Sequence, residues 1–442
     1  MSELRLQTNL LLQAGRLLLE YNESTAEIHR ALMATARTLT DETCHVVVFY
    51  RGLTVSLAGT SPAQESVSEL RYNTAVQARV HEVLEQLRRG ELEATAALAR
   101  LRAVEVETPR YPRWLAALVL GVAAAALAGL LGADVGAAAA AGLATGLGLL
   151  ARQELGRRHF SLLALPLVAA LVGAVLGGVA IRWGWTQTPE QALIVPALMV
   201  VPGPHLINGL FDLIDNYLPM SLSRLGLATG ILLASALGVV LGVELTLPVS
   251  FLAEPAAPGD RLNLVSDMLL AGVVTCGFAV FYNTAGRQLW MAAVGGMAGH
   301  GLRFLALEAG CWPEAATFLG GVTVGAVAAV MARQSRAPVA VIAFAGAVTM
   351  IPGLTLYRAL GGALQLARLA EGTDAELATR TLGNAFQGWL VVSALALGLV
   401  LGARVVRALA GERDPPVRPR PGHEFDEEAP VAAAEPTARR GT

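Results

Sequence analysis

The sequence predicts an α-helical integral membrane protein of about ten spans, built as two inverted five-helix repeats with broken fourth and ninth helices, plus a small N-terminal cytoplasmic α+β domain. Three observations carry this. Of 442 residues, 54% are apolar and 15% charged, more apolar sequence than one soluble core of that size requires. The charge is gathered at the ends, in residues 1–113 and 404–442. Two apolar runs are interrupted in the same way, VPG at 201–203 and IPG at 351–353, 150 residues apart.

Residues 1–113 read as the α+β domain. LRLQTNLLLQAGRLLLEY and STAEIHRALMATARTL repeat apolar residues at helical spacing, the second opened by a Ser24/Glu27 capping box. Arg5, Arg16 and Glu20 interrupt any signal-peptide core, which keeps the N-terminus cytoplasmic. HVVVFYRGLTVSLAG places two β-branched runs around Arg51-Gly52, a hairpin. Helical sequence is expected from about 64 to 103, and TPRYPRW, with Pro109 and Pro112, is the linker.

Apolar segments then fall at about 115–132, 135–151, 162–181, 190–201, 225–247, 264–283, 289–307, 313–331, 338–351 and 386–408. The fourth and ninth stop at Pro202-Gly203 and Pro352-Gly353 and resume as 204–218 and 354–370, so each is read as one broken span. Adding 150 carries the first, third and fifth spans roughly onto the sixth, eighth and tenth. The halves are 114–260 and 261–410; an odd number of spans in each turns the second upside down, an arrangement many secondary transporters use. Residues 411–442, acidic and proline-rich, are expected as a disordered cytoplasmic tail.

All six tryptophans fall at segment edges, and Arg152, Arg157, Arg158, Arg333 and Arg336 mark the connections that face the cytoplasm together with both termini. The loop with Arg358, Arg368 and Arg380 departs from that rule, with Glu371, Asp374 and Glu376 among them. Gly142/Gly146, Gly173/Gly177, Gly238/Gly242, Gly321/Gly325 and Gly398/Gly402 have the spacing that lets helices approach closely.

Other classes fit poorly. All 33 basic residues are Arg and the net charge is −2, so no basic surface for nucleic acid is expected. Cys44, Cys276 and Cys311 are widely spaced and read as packing residues rather than a disulfide framework or metal site. GxxxxGK[ST] and HExxH are absent, and no GxSxG stands where a serine hydrolase needs it. The expectation is a non-enzyme with no cofactor, and uphill transport would draw on an ion gradient.

A Pro in a membrane helix removes a donor, and the Gly after it permits a turn; lipid does not tolerate the freed groups unless protein, water or a polar ligand meets them. The resumed half-helix offers N–H groups and partial positive charge to a carboxylate. Candidate substrate or translocation residues are therefore Pro202, Gly203, His205, Asn208 and Asp212 at the first break, and Pro352, Gly353, Thr355 and Tyr357 at the second. Asn208 and Asp212 lie one turn apart on one face, positioned to look into one cavity. Asp212 is the candidate to meet an ammonium or carry a proton, and Asp267 is the second candidate for proton coupling. Plainer readings stand beside these: a simple kink at each Pro-Gly, a hydrated carboxylate at Asp212, an interfacial Asp215, a helix-end Asp267 and a structural hydrogen bond at His205. His300 and Arg303 read as packing or snorkelling polar groups.

VPGPHLINGLFDLID followed by SRLG, IPGLTLYRALGGAL in the second half, and LLLEYNESTAEIHRAL near the N-terminus together resemble the bacterial threonine/serine exporter family, up to about residue 408. The pattern is matched at Pro202, Gly203, Asn208, Asp212, Pro352 and Gly353. The resemblance implies a multi-pass exporter in the cytoplasmic (inner) membrane, an antiporter driven by the proton motive force. Its partners would be threonine, serine or a similar small amino acid, protons and the lipid bilayer; an oligomer is compatible with the sequence. Two alternatives remain: a transporter of another small solute such as a dicarboxylate, or a membrane-anchored regulatory or enzymatic N-terminal domain. For the latter, Glu20, Ser24, Thr25 and His29 are close together but form no nucleophile–base pair.

Overall fold

The chain folds as the apolar periodicity directs, into long helices beneath a small mixed layer. The computed structural model describes residues 3–58, 61–247, 262–335, 339–368 and 374–411. The expected 260/261 boundary between halves, Arg336, Glu371 and the expected tail from 412 lie outside the described residues.

The N-terminal region comprises α1 (Glu3–Glu20), α2 (Thr25–Leu39), β1 (Cys44–Phe49), β2 (Gly52–Leu57), β3 (Ala63–Ser66), α3 (Thr74–Arg88) and α4 (Ala94–Glu107). Ser24 caps α2 by accepting from Glu27 N–H, as the capping-box pattern predicts. β1 and β2 pair antiparallel with Phe49 opposite Gly52, so Tyr50-Arg51 is the hairpin turn. Residues 63–66 form a strand where helix was expected, because β2 offers an open edge and Gly52–Val55 pair with them antiparallel. The expected helix after it is split: Asn73 caps α3, and Gly90 at φ 71° turns the chain out of it in the left-handed region. α1 lies across the layer, and Leu10, Leu17, Leu32, Leu53, Leu84 and Leu101 close a core that Met220 of the membrane unit also enters.

The membrane unit comprises α5 (Arg113–Leu130), α6 (Val135–Arg157), α7 (Ala164–Arg182), α8 (Pro189–Leu198), α9 (Gly203–Ile214), α10 (Leu218–Thr246), α11 (Leu264–Phe281), α12 (Leu289–Glu308), α13 (Pro313–Ser335), α14 (Val339–Ala347), α15 (Gly353–Arg368) and α16 (Ala375–Leu409). Among the described residues, seven helices are long and apolar enough to cross a membrane, and nine spans result if each bent pair counts as one. The pairs are α8 with α9, bent by 60°, and Ile342–Met350 with Gly353–Ala367, bent by 54°. The expected seventh span is a helix, α12, but its glycines, His300 and Arg303 leave it less apolar than the other seven. α10 and α16 start earlier than expected, at the Pro219 step and at the Asp374 cap; Trp389 therefore lies within α16 instead of at its edge. Cys311 is exposed, not packed.

Neighbours recur in the two halves. α5 packs on α6, α6 on α7 and α7 on α10, with α8 against α6 and α7; α11 packs on α12, α12 on α13 and α13 on α16, with α14 against α12 and α13. α5 and α11 join the halves. α13 and α16 approach each other closely: a Cβ on Gly325 would lie 2.2 Å from the Leu399 carbonyl oxygen and one on Gly402 would lie 2.0 Å from that of Val322. The obstacles are helix backbone, which cannot rotate away. Gly402→Ala is therefore expected to force the helices apart at a cost of about 1–3 kcal/mol, the usual range for overpacking, and to lower the thermal midpoint in detergent; an unchanged midpoint would contradict this packing.

Candidate functional site

Both Pro-Gly steps make the same local turn. Gly203 N–H donates to the Val201 carbonyl at 2.8 Å and Leu206 N–H to that of Pro202 at 3.1 Å; Gly353 N–H donates to the Ile351 carbonyl at 2.7 Å and Leu356 N–H to that of Pro352 at 3.0 Å. Pro202 sits at φ −79°, ψ 59°, an inverse γ-turn whose φ the proline ring presets. Each chain bends while its glycine N–H keeps a partner. The turns also meet: a Cβ on Gly203 would lie 2.8 Å from Ile351 Cδ1, and one on Gly353 would lie 3.0 Å from Leu198 Cδ2. Tyr357, buried on α15, donates to the Ala197 carbonyl of α8 at 3.2 Å. Pro202, Gly203, Pro352, Gly353 and Tyr357 thus share one crossing of broken helices.

Beside the second break lies a cavity of about 510 Å³ lined by Pro352, Gly353, Thr355, Asp267, His300 and Arg303. Asn263 caps α11 and sets Asp267 in its first turn, where Oδ2 lies 2.6 Å from His300 Nδ1 on α12. Arg303, one turn further along α12, donates from Nε to Thr317 Oγ1 at 3.1 Å. Thr349 Oγ1 is buried at the same break without a partner among the described residues. A carboxylate, an imidazole and a guanidinium therefore line one small-molecule-sized space. His300 and Arg303 were expected to serve packing; the signal for a site was their pairing at i, i+3 in a glycine-rich membrane helix, where ionisable side chains are costly.

The first break has different surroundings. Asn208 and Asp212 share a face of α9, and that face meets the turn between α1 and α2. Asn208 Nδ2 donates to the Asn22 carbonyl at 2.6 Å, and Thr25 N–H donates to Asp212 Oδ1 at 3.0 Å. Arg224 of α10 places Nη1 3.1 Å from Asp212 Oδ2, both side chains 0% exposed, and donates from Nη2 to the Glu23 carbonyl. His205 lies against Tyr72, ring centroids 5.3 Å apart, and Tyr72 against Tyr282 at 5.6 Å. Thr74 N–H donates to the Tyr282 carbonyl at 2.9 Å. Arg224 was not singled out from the sequence, although it is the lone Arg, within SRLG, at the start of an otherwise apolar run.

The same seam holds a second cavity of about 400 Å³, where Glu23, Glu27, Arg30 and His81 face Asp215, Arg333 and Arg404. Arg404 Nη2 donates to Asp215 Oδ1 at 2.9 Å. The Glu23 carboxylate lies beside His81, with Oε2 3.4 Å from Nε2.

A family model of threonine/serine exporters matches residues 9–246, and a second, described as "Threonine/Serine exporter, ThrE", matches residues 267–405. No solved structure matches the chain.

Burial alone would lower the pKa of His81, but its hydrogen bond to Glu23 and the charges of Glu23 and Glu27 outweigh this and raise it above the ordinary histidine value. A histidine whose folded pKa is raised stabilises the protein fully below its unfolded pKa, about 6.5, and that contribution is lost as pH rises through the higher folded value. Wild type should exceed His81→Gln in thermal midpoint at acidic pH, and the difference should shrink as pH rises past the raised value; a difference constant with pH would contradict the ion pair.

Proposed function

The chain belongs to the threonine/serine exporter family, and on that premise we propose that it is a secondary exporter of threonine, serine and similar small amino acids driven by the proton motive force. It is a membrane transporter rather than an enzyme. One observation carries the proposal: the cavity at the second break lines up an acid, a base and a guanidinium, from α11 and α12, beside a broken helix. An α-amino acid is a zwitterion. Its carboxylate suits Arg303 and the α15 N-terminus that begins at Gly353, where Thr355 adds a hydroxyl; its ammonium suits Asp267. His300 and Asp267 are close enough to share a proton, so arrival of the ammonium and movement of the proton are alternatives at one carboxylate. The Asp267 carboxylate in the same space disfavours the dicarboxylate reading.

The architecture proposed is ten spans in two inverted halves. The paired neighbours of α5–α10 and α11–α16 support it, as do the matching γ-turns. The residues proposed for translocation are Pro202, Gly203, His205, Asn208 and Asp212 with Pro352, Gly353, Thr355 and Tyr357. Asp212 and Asp267 are the carboxylates proposed for coupling. Arg333, Arg404 and Arg407 lie beside the N-terminal region, which supports a cytoplasmic place for that region and for both termini in a bacterial inner membrane.

The test is counterflow of labelled threonine and serine in proteoliposomes, with and without an imposed pH gradient. Both solutes should exchange, and the gradient should drive accumulation. Asp267→Asn should abolish accumulation while the protein stays inserted and folded. Gradient-driven accumulation at the wild-type level in that variant would remove Asp267 from the coupling, and absence of any threonine or serine flux in wild type would overturn the function.

A further inference from the structure

Asn208, Asp212 and Arg224 hold the turn between α1 and α2 through its backbone. Asp212 takes one N–H, from Thr25; Arg224 and Asn208 each hold one carbonyl, from Glu23 and Asn22. A donor on a carboxylate and acceptors on a guanidinium and an amide are what an α-amino acid presents with its ammonium and carboxylate. The turn fills the place incompletely. Asn208 Oδ1, Arg224 Nε, His205 Nδ1 and both amide atoms of Asn22 are buried with no hydrogen-bond partner among the described residues, although Asn208 is 1% and Arg224 0% exposed. Native proteins leave few such atoms, and each one needs a reason. A buried ion pair is also a weak stabiliser and is best attested where it serves as a switch.

We propose that Asn208, Asp212 and Arg224 form an α-amino-acid site on the face that carries the N-terminal region, and that the Asn22–Thr25 turn is its built-in competitor. Threonine or serine displaces the turn: the ammonium replaces the Thr25 N–H on Asp212, and the carboxylate replaces the two carbonyls on Arg224 and Asn208. The N-terminal region is then a plug that opens for substrate. This rests on the exporter reading and extends it to a second, guarded half-site.

Thr25→Pro tests it in the full-length chain. Pro is tolerated at the first position of a helix, and Ser24 before it already has φ −66°, ψ 147°, the region that a following proline demands. The change therefore deletes the N–H on Asp212 and leaves α2 in place. In proteoliposomes, the KM for threonine presented at this face should fall roughly tenfold, the change expected when a competitor loses one charge-assisted hydrogen bond.

A second measurement does not depend on that variant. With Cys44, Cys276 and Cys311 replaced by Ser, Thr25→Cys should react slowly with a maleimide and faster at saturating threonine. An unchanged KM together with threonine-independent labelling, while threonine counterflow proceeds, would overturn the plug and leave the exporter reading standing. A wild type that moves no threonine would overturn both.

Discussion

A helix inside a bilayer has no water to satisfy its backbone, so any break in it must be closed by protein or by a ligand. That constraint organises this membrane unit. The two Pro-Gly turns keep their glycine N–H groups paired through i to i+2 bonds, and they lie against each other, where Tyr357 takes up the Ala197 carbonyl of the opposite broken helix. Close helix contacts, such as the glycine seam between α13 and α16, brace this crossing on its flank. Bending the chain there releases half-helix termini toward a polar cavity without exposing backbone to lipid.

The two breaks share geometry but not chemistry. Around the second, Asp267, His300 and Arg303 come from α11 and α12 and line a cavity. Around the first, Asp212 and Arg224 neutralise each other in complete burial and grip a turn of the N-terminal region. Two charges removed from water gain little net stability from their attraction, so the pair is better explained by what it holds. It seats a layer that is otherwise tied down by Thr74 on Tyr282 and by Asn73, whose Oδ1 accepts from Asn283 Nδ2.

Much of this was legible in the chain. Period-3.6 apolar runs give nearly every helix, β-branched runs give the hairpin, and the repeated Pro-Gly marks both bends because proline chemistry acts locally. What local pattern cannot carry was missed. β3 forms because β2 has an open edge, a property of the folded sheet and not of Ala63–Ser66. α12 reads as apolar packing until α11 brings Asp267 to His300. Asn208 and Asp212 share a face as their spacing requires, but nothing near residue 210 says that the partner of that face lies at residues 22–25. Arg224 is visible as a costly charge in an apolar run, and such a charge calls for a partner like Asp212.

The central claim is that the crossing of the two breaks belongs to an amino-acid path. The most direct test is saturable binding of labelled threonine to full-length protein in detergent, comparing wild type with Gly203→Leu, whose first side-chain carbon alone would lie 2.8 Å from Ile351 Cδ1. The account predicts saturable binding in wild type and its loss in a variant that remains folded by circular dichroism. Threonine binding of equal affinity in both proteins would contradict it and reduce the breaks to kinks.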